Sequence, residues 1–120
     1  MLGWYLLTEK TTLAEMEWML ARSAGYNAGF AMATSLESLR KNPCTGELLD
    51  AIREWETCRR DKAFPPEIKD QLKDPNKEFH LERISGNSWN LYPMKRIESG
   101  SKDSVIYKKS DPVRITMPDK

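Results

Sequence analysis

Residues 2–33, LGWYLLTEKTTLAEMEWMLARSAGYNAGFAMA, change texture twice, and that change decides the fold. Leu2 to Leu7 is a short apolar run rich in aromatics. Thr12 to Ala24 repeats its apolar residues at helical intervals. Ala28 to Ala33 is a second short apolar run of small side chains. The expectation is strand, helix, strand. A helix joining two strands of one sheet is a crossover, so the strands must run parallel. The first run does not alternate polar with apolar residues, which fits a strand covered on both faces. Thr12 is a good N-cap, and Glu15 three residues later completes a capping box. Leu13, Met16, Leu20 and Ala24 form the stripe, widened by Trp18 and Met19. Glu15 and Arg22 are left for water, and Gly25 stands where a left-handed residue would end the helix.

Downstream the helical texture continues. Thr34 or Ser35 caps a short turn, SLESLRK, with Leu36 and Leu39 facing inward. Asn42-Pro43 restarts the chain, since Asn caps and Pro suits the first helical position. A helix then spans about Thr45 to Arg60, with Leu48, Ile52, Trp55 and Arg59 on one side and a Glu56–Arg60 pair one turn apart. Phe64-Pro65-Pro66 breaks it, and Glu67 to Lys73 reads as another short helix. From Glu78 the period drops to two. Phe79, Leu81 and Arg83 point one way; Glu78, His80 and Glu82 point the other. Ser85-Gly86-Asn87-Ser88 is a turn cluster, followed by alternation of Trp89 and Leu91 with Asn90 and Tyr92. That is a β-hairpin, which Pro93 is expected to end. Residues 98–104 are linker-like, and Val105–Tyr107 and Val113–Met117 are two further short strands. The fold class is therefore α/β, with a βαβ segment at residues 1–76 and a β-hairpin opening a β-rich region at 77–120.

Composition narrows the function classes. The chain has 120 residues, 39% hydrophobic and 31% charged, which is ordinary for a soluble globular domain. Net charge is +1, and splitting the chain at residue 92 gives only −2 and +3. Neither half supplies a field that would recruit nucleic acid or an anionic membrane, so neither partner is expected. No apolar run approaches the roughly 18 to 20 residues that span a bilayer. The first apolar run also lacks the length and basic flank of a signal peptide. Cys44 and Cys58 lie fourteen residues apart on one helical segment, about 20 Å along its axis and too far for a bridge. Free thiols are expected.

Few residues carry an obvious chemistry. Glu78, His80 and Glu82 share a strand face, but zinc would want more nitrogen or sulfur ligands, so no metal is expected. The pairs Glu15/Glu17 and Glu54/Glu56 each split across helix faces. No glycine-rich phosphate loop and no local cysteine-nucleophile signature is present, and no cofactor is expected. Topology offers more. In parallel α/β folds, ligands meet the loops at the carboxyl ends of strands. Those loops hold Glu9, Lys10, Thr34 and Glu37, the candidate substrate contacts. The plainer reading makes them ordinary loop and first-turn residues, Glu37 being favoured by a helix N-terminus. Among aromatics, Trp18 and Trp55 are expected in the core, and Trp89 with Tyr92 as the exposed pair.

A family resemblance adds to this. The runs GWYLL, TTLAEMEWMLARSAGYNAGFAM, NPCTGELLDAIREWETCRRDKAF, LKDPNKEFHLE and WNLYPM resemble the end of the catalytic region of large bacterial glycoside hydrolase-like proteins of the Bacteroidetes type. The likeness covers about residues 2–94. It implies the last strands and helices of a (β/α)8 barrel, then a hairpin leading to a β-rich region. It also implies carbohydrate as the ligand, hydrolysis of glycosidic bonds by the full-length protein, and a periplasmic or secreted location. Catalytic carboxylates usually come from several strands of such a barrel. This chain holds two, so no catalytic residue is carried over and the isolated chain is expected to be inactive. Open strand edges imply a larger chain or self-association. The alternative is a self-contained α+β binding module, with Leu2–Leu7 covered on both faces and no catalysis.

Overall fold

The structure, a computed structural model, describes residues 4–29, 31–98 and 105–118. Its elements in chain order are β1 (Trp4–Leu6), α1 (Leu13–Tyr26), β2 (Ala31–Ala33), α2 (Leu36–Lys41), α3 (Thr45–Arg60), α4 (Pro66–Leu72), β3 (Glu78–Ser85), β4 (Ser88–Glu98), β5 (Val105–Lys109) and β6 (Val113–Thr116). The class is mixed α/β, and no barrel closes among the described residues. β1 and β2 pair in parallel, Trp4 opposite Ala31 and Leu6 opposite Ala33, with α1 as the crossover. The remaining strands form an antiparallel sheet. β3 pairs one edge of β4, while β6 and β5 take successive lengths of its other edge. Leu2, Gly3 and Phe30 of the two expected apolar strands, and residues 99–104 of the expected linker, lie outside the described residues.

α1 is the hub. Thr12 caps it, its side chain accepting from Glu15 N at 3.2 Å. Its buried face, with Met16, Met19, Leu20, Ala21 and Ala24, packs on α3, α4 and β3. The same core takes in Leu7 from the loop after β1, Leu48, Trp55 and Cys58 from α3, and Ile68 and Leu72 from α4. Phe79, Leu81, Trp89, Leu91 and Ile115 from the sheet complete it. Side chains from residues 1–76 and 77–120 thus share one apolar interior. Each fully buried leucine contributes roughly 1.5–3 kcal/mol relative to exposure.

Several local expectations are corrected. Coverage of the first strand is one-sided: Leu7 is 1% exposed, whereas Leu6 is 66% exposed, with none of the described elements over it. Gly25 does not end α1. The helix runs to Tyr26, and Asn27, at φ 50°, is the left-handed residue that closes it. Gly25 instead lets α4 approach: a β-carbon there would lie 2.9 Å from Lys73 N and 3.0 Å from both Leu72 C and Lys69 O. Arg22 is buried, not solvated; it donates from Nε to Leu72 O and from Nη2 to Lys77 O, tying α1 to the end of α4 and the loop after it. Asn42 does not cap α3, whose N-cap is Cys44. Its side chain accepts from Cys44 N and donates to Thr8 O and Thr11 O, holding the loop after β1. Glu56 pairs with Arg59, one residue earlier than expected.

Pro93 does not end the hairpin, because β4 continues to Glu98. The Pro93 carbonyl accepts from Ser110 N at 2.8 Å, so this residue's backbone faces the β5/β6 edge. It sits between Leu91, the last β4 residue paired with β6, and Met94, the first paired with β5. No ladder donor is needed at that gap, so a residue without an N–H fits a central strand there.

Candidate functional site

The four contacts expected at the carboxyl ends of β1 and β2 do gather at one end of that small sheet. Thr34 donates its hydroxyl to Leu7 O at 3.0 Å, linking the two loops. Thr8 and Thr11 knot the first loop, Thr8 N donating to Thr11 Oγ1 at 2.9 Å. Glu9 and Lys10 are exposed on that loop. Glu37 is exposed as well and pairs with Lys41 at 2.8 Å, one turn along α2. These side chains share an end of the fold without lining either cleft described next.

A denser constellation lies where α1 crosses the antiparallel sheet. Glu17, on α1, is 2% exposed. Its Oε2 accepts from Trp55 Nε1 and from Leu81 N, both at 2.9 Å, and its Oε1 meets His80 Nδ1 at 2.5 Å. The other ring nitrogen, Nε2, lies 3.0 Å from Glu82 Oε1, which also accepts from Lys109 Nζ at 2.8 Å. Tyr92 stacks on the imidazole, with ring centroids 6.2 Å apart. A charged chain thus runs from the core to the surface across α1, β3 and β5.

The hydrogen bond and charge of Glu17, joined by those of Glu82, raise the His80 pKa above its ordinary value against the opposing effect of burial. With a carboxylate beside each nitrogen, the protonated ring donates twice, and in that form it offers no lone pair to a metal or to a substrate proton. Lys109 in turn lowers the Glu82 pKa. The arrangement clamps α1 to the sheet; a nucleophile or a poised general base is not what it provides.

Two clefts flank the clamp, and Leu13, Glu17 and His80 border both. One, about 240 Å³, is walled by Ala14, Phe79 and Met94. The other, about 600 Å³, reaches toward Glu47, Asp50 and Arg53 of α3. A second buried carboxylate, Glu54, lines the larger one; it accepts from Trp89 Nε1 at 3.1 Å and lies 3.5 Å from Arg83 Nε. The expected exposed pair is thereby corrected: Trp89 is fully buried and Tyr92 is partly covered. Trp55 is in the core as expected. Trp18 lies at its margin, 36% exposed, donating to Pro75 O with Arg22 over its ring.

Sequence reasoning takes Glu17 and Glu54 only as halves of the pairs Glu15/Glu17 and Glu54/Glu56, which split across helix faces, and so does not bring either into a site. The spacing did carry a signal. Glu17 stands four residues after Leu13 and three before Leu20; Glu54 stands three after Ala51 and four before Cys58. Both therefore fall on the apolar stripe of their helices.

Among the described residues, no group of three or more His, Cys, Asp or Glu side chains is placed to hold a metal ion, and no helix is long and apolar enough to cross a membrane. Compared with known proteins, the chain matches no family model, no curated protein and no solved structure.

Proposed function

We propose that this chain is the closing portion of a (β/α)8-barrel protein of the glycoside hydrolase type, acting on carbohydrate as part of a larger polypeptide. The observation that carries the reading is the parallel β1–β2 pair around α1, whose side chain Leu6 stands 66% exposed, with Leu36 beside the end of β2 at 65%. Among the described residues, β1 and β2 pair only with each other. Parallel strands are normally buried on both faces, so an apolar residue left open on one of them fits a sheet that other strands continue.

In that reading the loops carrying Glu9, Lys10, Thr34 and Glu37 face the sugar, since barrel enzymes work at the carboxyl ends of their strands. Bond cleavage needs a second carboxylate at a set distance from the first, contributed by strands outside residues 1–120. This chain alone binds weakly and does not hydrolyse. The test is the coding sequence upstream of Met1 and the activity of the polypeptide it extends. Roughly 200 further residues of alternating strands and helices, with release of reducing sugar from a glycan panel, support the reading. An immediate upstream stop codon ends it.

A self-contained binding module is the second reading. The continuous core joining Leu7, Trp55, Trp89 and Ile115 favours it. It requires Leu6 to be covered, and that exposure weighs against it.

A further inference from the structure

His80 is the single histidine of the chain, and its two ring nitrogens meet carboxylates of opposite character. The Glu17 side chain is 3% exposed and the Glu82 side chain 44%. Glu17 is held by the interior: while Oε1 faces Nδ1, Oε2 accepts from Trp55 Nε1 and Leu81 N. Glu82 stands at the surface with a cation of its own, Lys109 Nζ at 2.8 Å.

A ring that gives up one proton keeps a single N–H for two carboxylates. That hydrogen belongs on Nδ1. A buried carboxylate turned toward a lone pair would lose a charge-assisted bond with no solvent to replace it. Nε2 then presents its lone pair to Glu82 Oε1 at 3.0 Å, two acceptors in contact. Glu82 escapes by turning into water, and Lys109 remains its partner there. The surroundings leave that choice in place. Tyr92 of β4 stacks on the ring, and Glu78 lies on the same strand face two residues away. Across the larger cleft α3 presents Glu47, which is exposed, Asp50 paired with Arg53, and Glu54 accepting from Trp89 beside Arg83.

We propose that His80 is a proton-operated latch that opens on one side only: on losing its proton the ring keeps Glu17 and releases Glu82, and Lys109 moves out with it. Lys109 lines the smaller cleft and Glu82 the larger. The charge at both mouths therefore follows one proton, while α1 stays clamped to β3. The Glu17 hydrogen bond is the main cause that raises the ring's pKa, so the latch opens above the ordinary value near 6.5. Nothing in it depends on the sugar-binding reading, whose loops line neither cleft.

The test is nuclear magnetic resonance of the ring nitrogens, free of overlap in a chain with one histidine, from about pH 5 to pH 9. The titration is expected to end in the tautomer with hydrogen on Nδ1 and a bare Nε2. Proton contacts between the ring and the Glu82 side chain should fade through the transition, while those to Glu17 persist. Glu82→Gln should lower the ring's proton affinity several-fold and keep that tautomer. Glu17→Gln should lower it by about ten-fold or more and abolish the preference for Nδ1. If Glu17→Gln does not fold, the tautomers of the parent and of Glu82→Gln decide alone. A neutral ring with hydrogen on Nε2, an equal mixture of tautomers, contacts to Glu17 that fade first, or a ring still protonated at about pH 9 would each overturn the latch.

Discussion

The Glu17 carboxylate on α1 and the His80 imidazole on β3 stand 2.5 Å apart, Oε1 to Nδ1, across sixty-three residues of sequence. That contact joins the βαβ unit to the antiparallel sheet at the margin of the core. The other carboxylate oxygen satisfies two further buried donors, Trp55 Nε1 and Leu81 N. One side chain therefore fixes α1 against α3 and β3 together.

Removing the Glu17 carboxylate is costlier than neutralising it. Glu17→Ala strands two buried donors, at about 1–3 kcal/mol each, and leaves His80 with one carboxylate. A loss of about 3–5 kcal/mol is expected. Glu17→Gln retains an oxygen for Trp55 and Leu81, so about 1–2 kcal/mol is expected. Urea unfolding of the two variants checks the order; equal losses would mean that the two donors find other partners.

His80 makes stability depend on pH in a defined direction. Its folded pKa is raised, chiefly by the Glu17 hydrogen bond. The groups facing it are Glu17 from α1, Glu82 from its own strand and Tyr92 from β4, with Lys109 of β5 acting on Glu82. A proton held more tightly in the folded state stabilises fully below the unfolded value near 6.5, and that contribution fades as pH rises through the folded value. The urea midpoint should therefore fall as pH rises above about 6.5. His80→Gln should flatten this window while leaving the acid side, where carboxylates titrate, in place. A midpoint that stays level in the parent chain would remove the imidazolium from the account.

Gly25 shows how a correct residue can be given the wrong reason. Alanine there gains about 1 kcal/mol of helix propensity. Its β-carbon, however, meets backbone atoms of Leu72, Lys73 and Lys69 at 2.9–3.0 Å. Backbone does not swing aside like a side-chain tip, and overpacking costs about 1–3 kcal/mol. Gly25→Ala should lower the thermal midpoint, and a rise would mean that α1 and α4 sit further apart than this.

What periodicity can reach was read correctly: the parallel crossover, the capped start of α1, the long α3, the hairpin turn at Gly86-Asn87 and the two last strands. What escaped depends on partners far along the chain. Arg22 is buried because carbonyls fifty and fifty-five residues away accept from it. Trp89 is buried because Glu54 of α3 receives its N–H and its ring lies in the shared core. Pro93 is tolerated because two different strands meet beside it. No local window contains those facts. The same holds for the candidate site: the loops after β1 and β2 followed from topology, whereas the Glu17–His80–Glu82 chain needed α1 and β3 in register, sixty-three residues apart.

Leu6 tests the reading of the small sheet. A strand whose outer edge has no partner among the described residues, and whose leucine is exposed, is a template for association. The isolated chain should therefore sediment above its monomer mass as its concentration rises. Leu6→Lys places a charge on that strand where little packing is lost, since the leucine is 66% exposed. Its stability should stay within about 0.5 kcal/mol of the parent, while association falls. Both halves matter: loss of association with loss of folding would reflect damage to the core, and loss of association alone would locate the sticky surface on β1. A parent chain that remains a sharp monomer at every concentration would show that this face needs no cover, and would favour the self-contained module over the barrel portion.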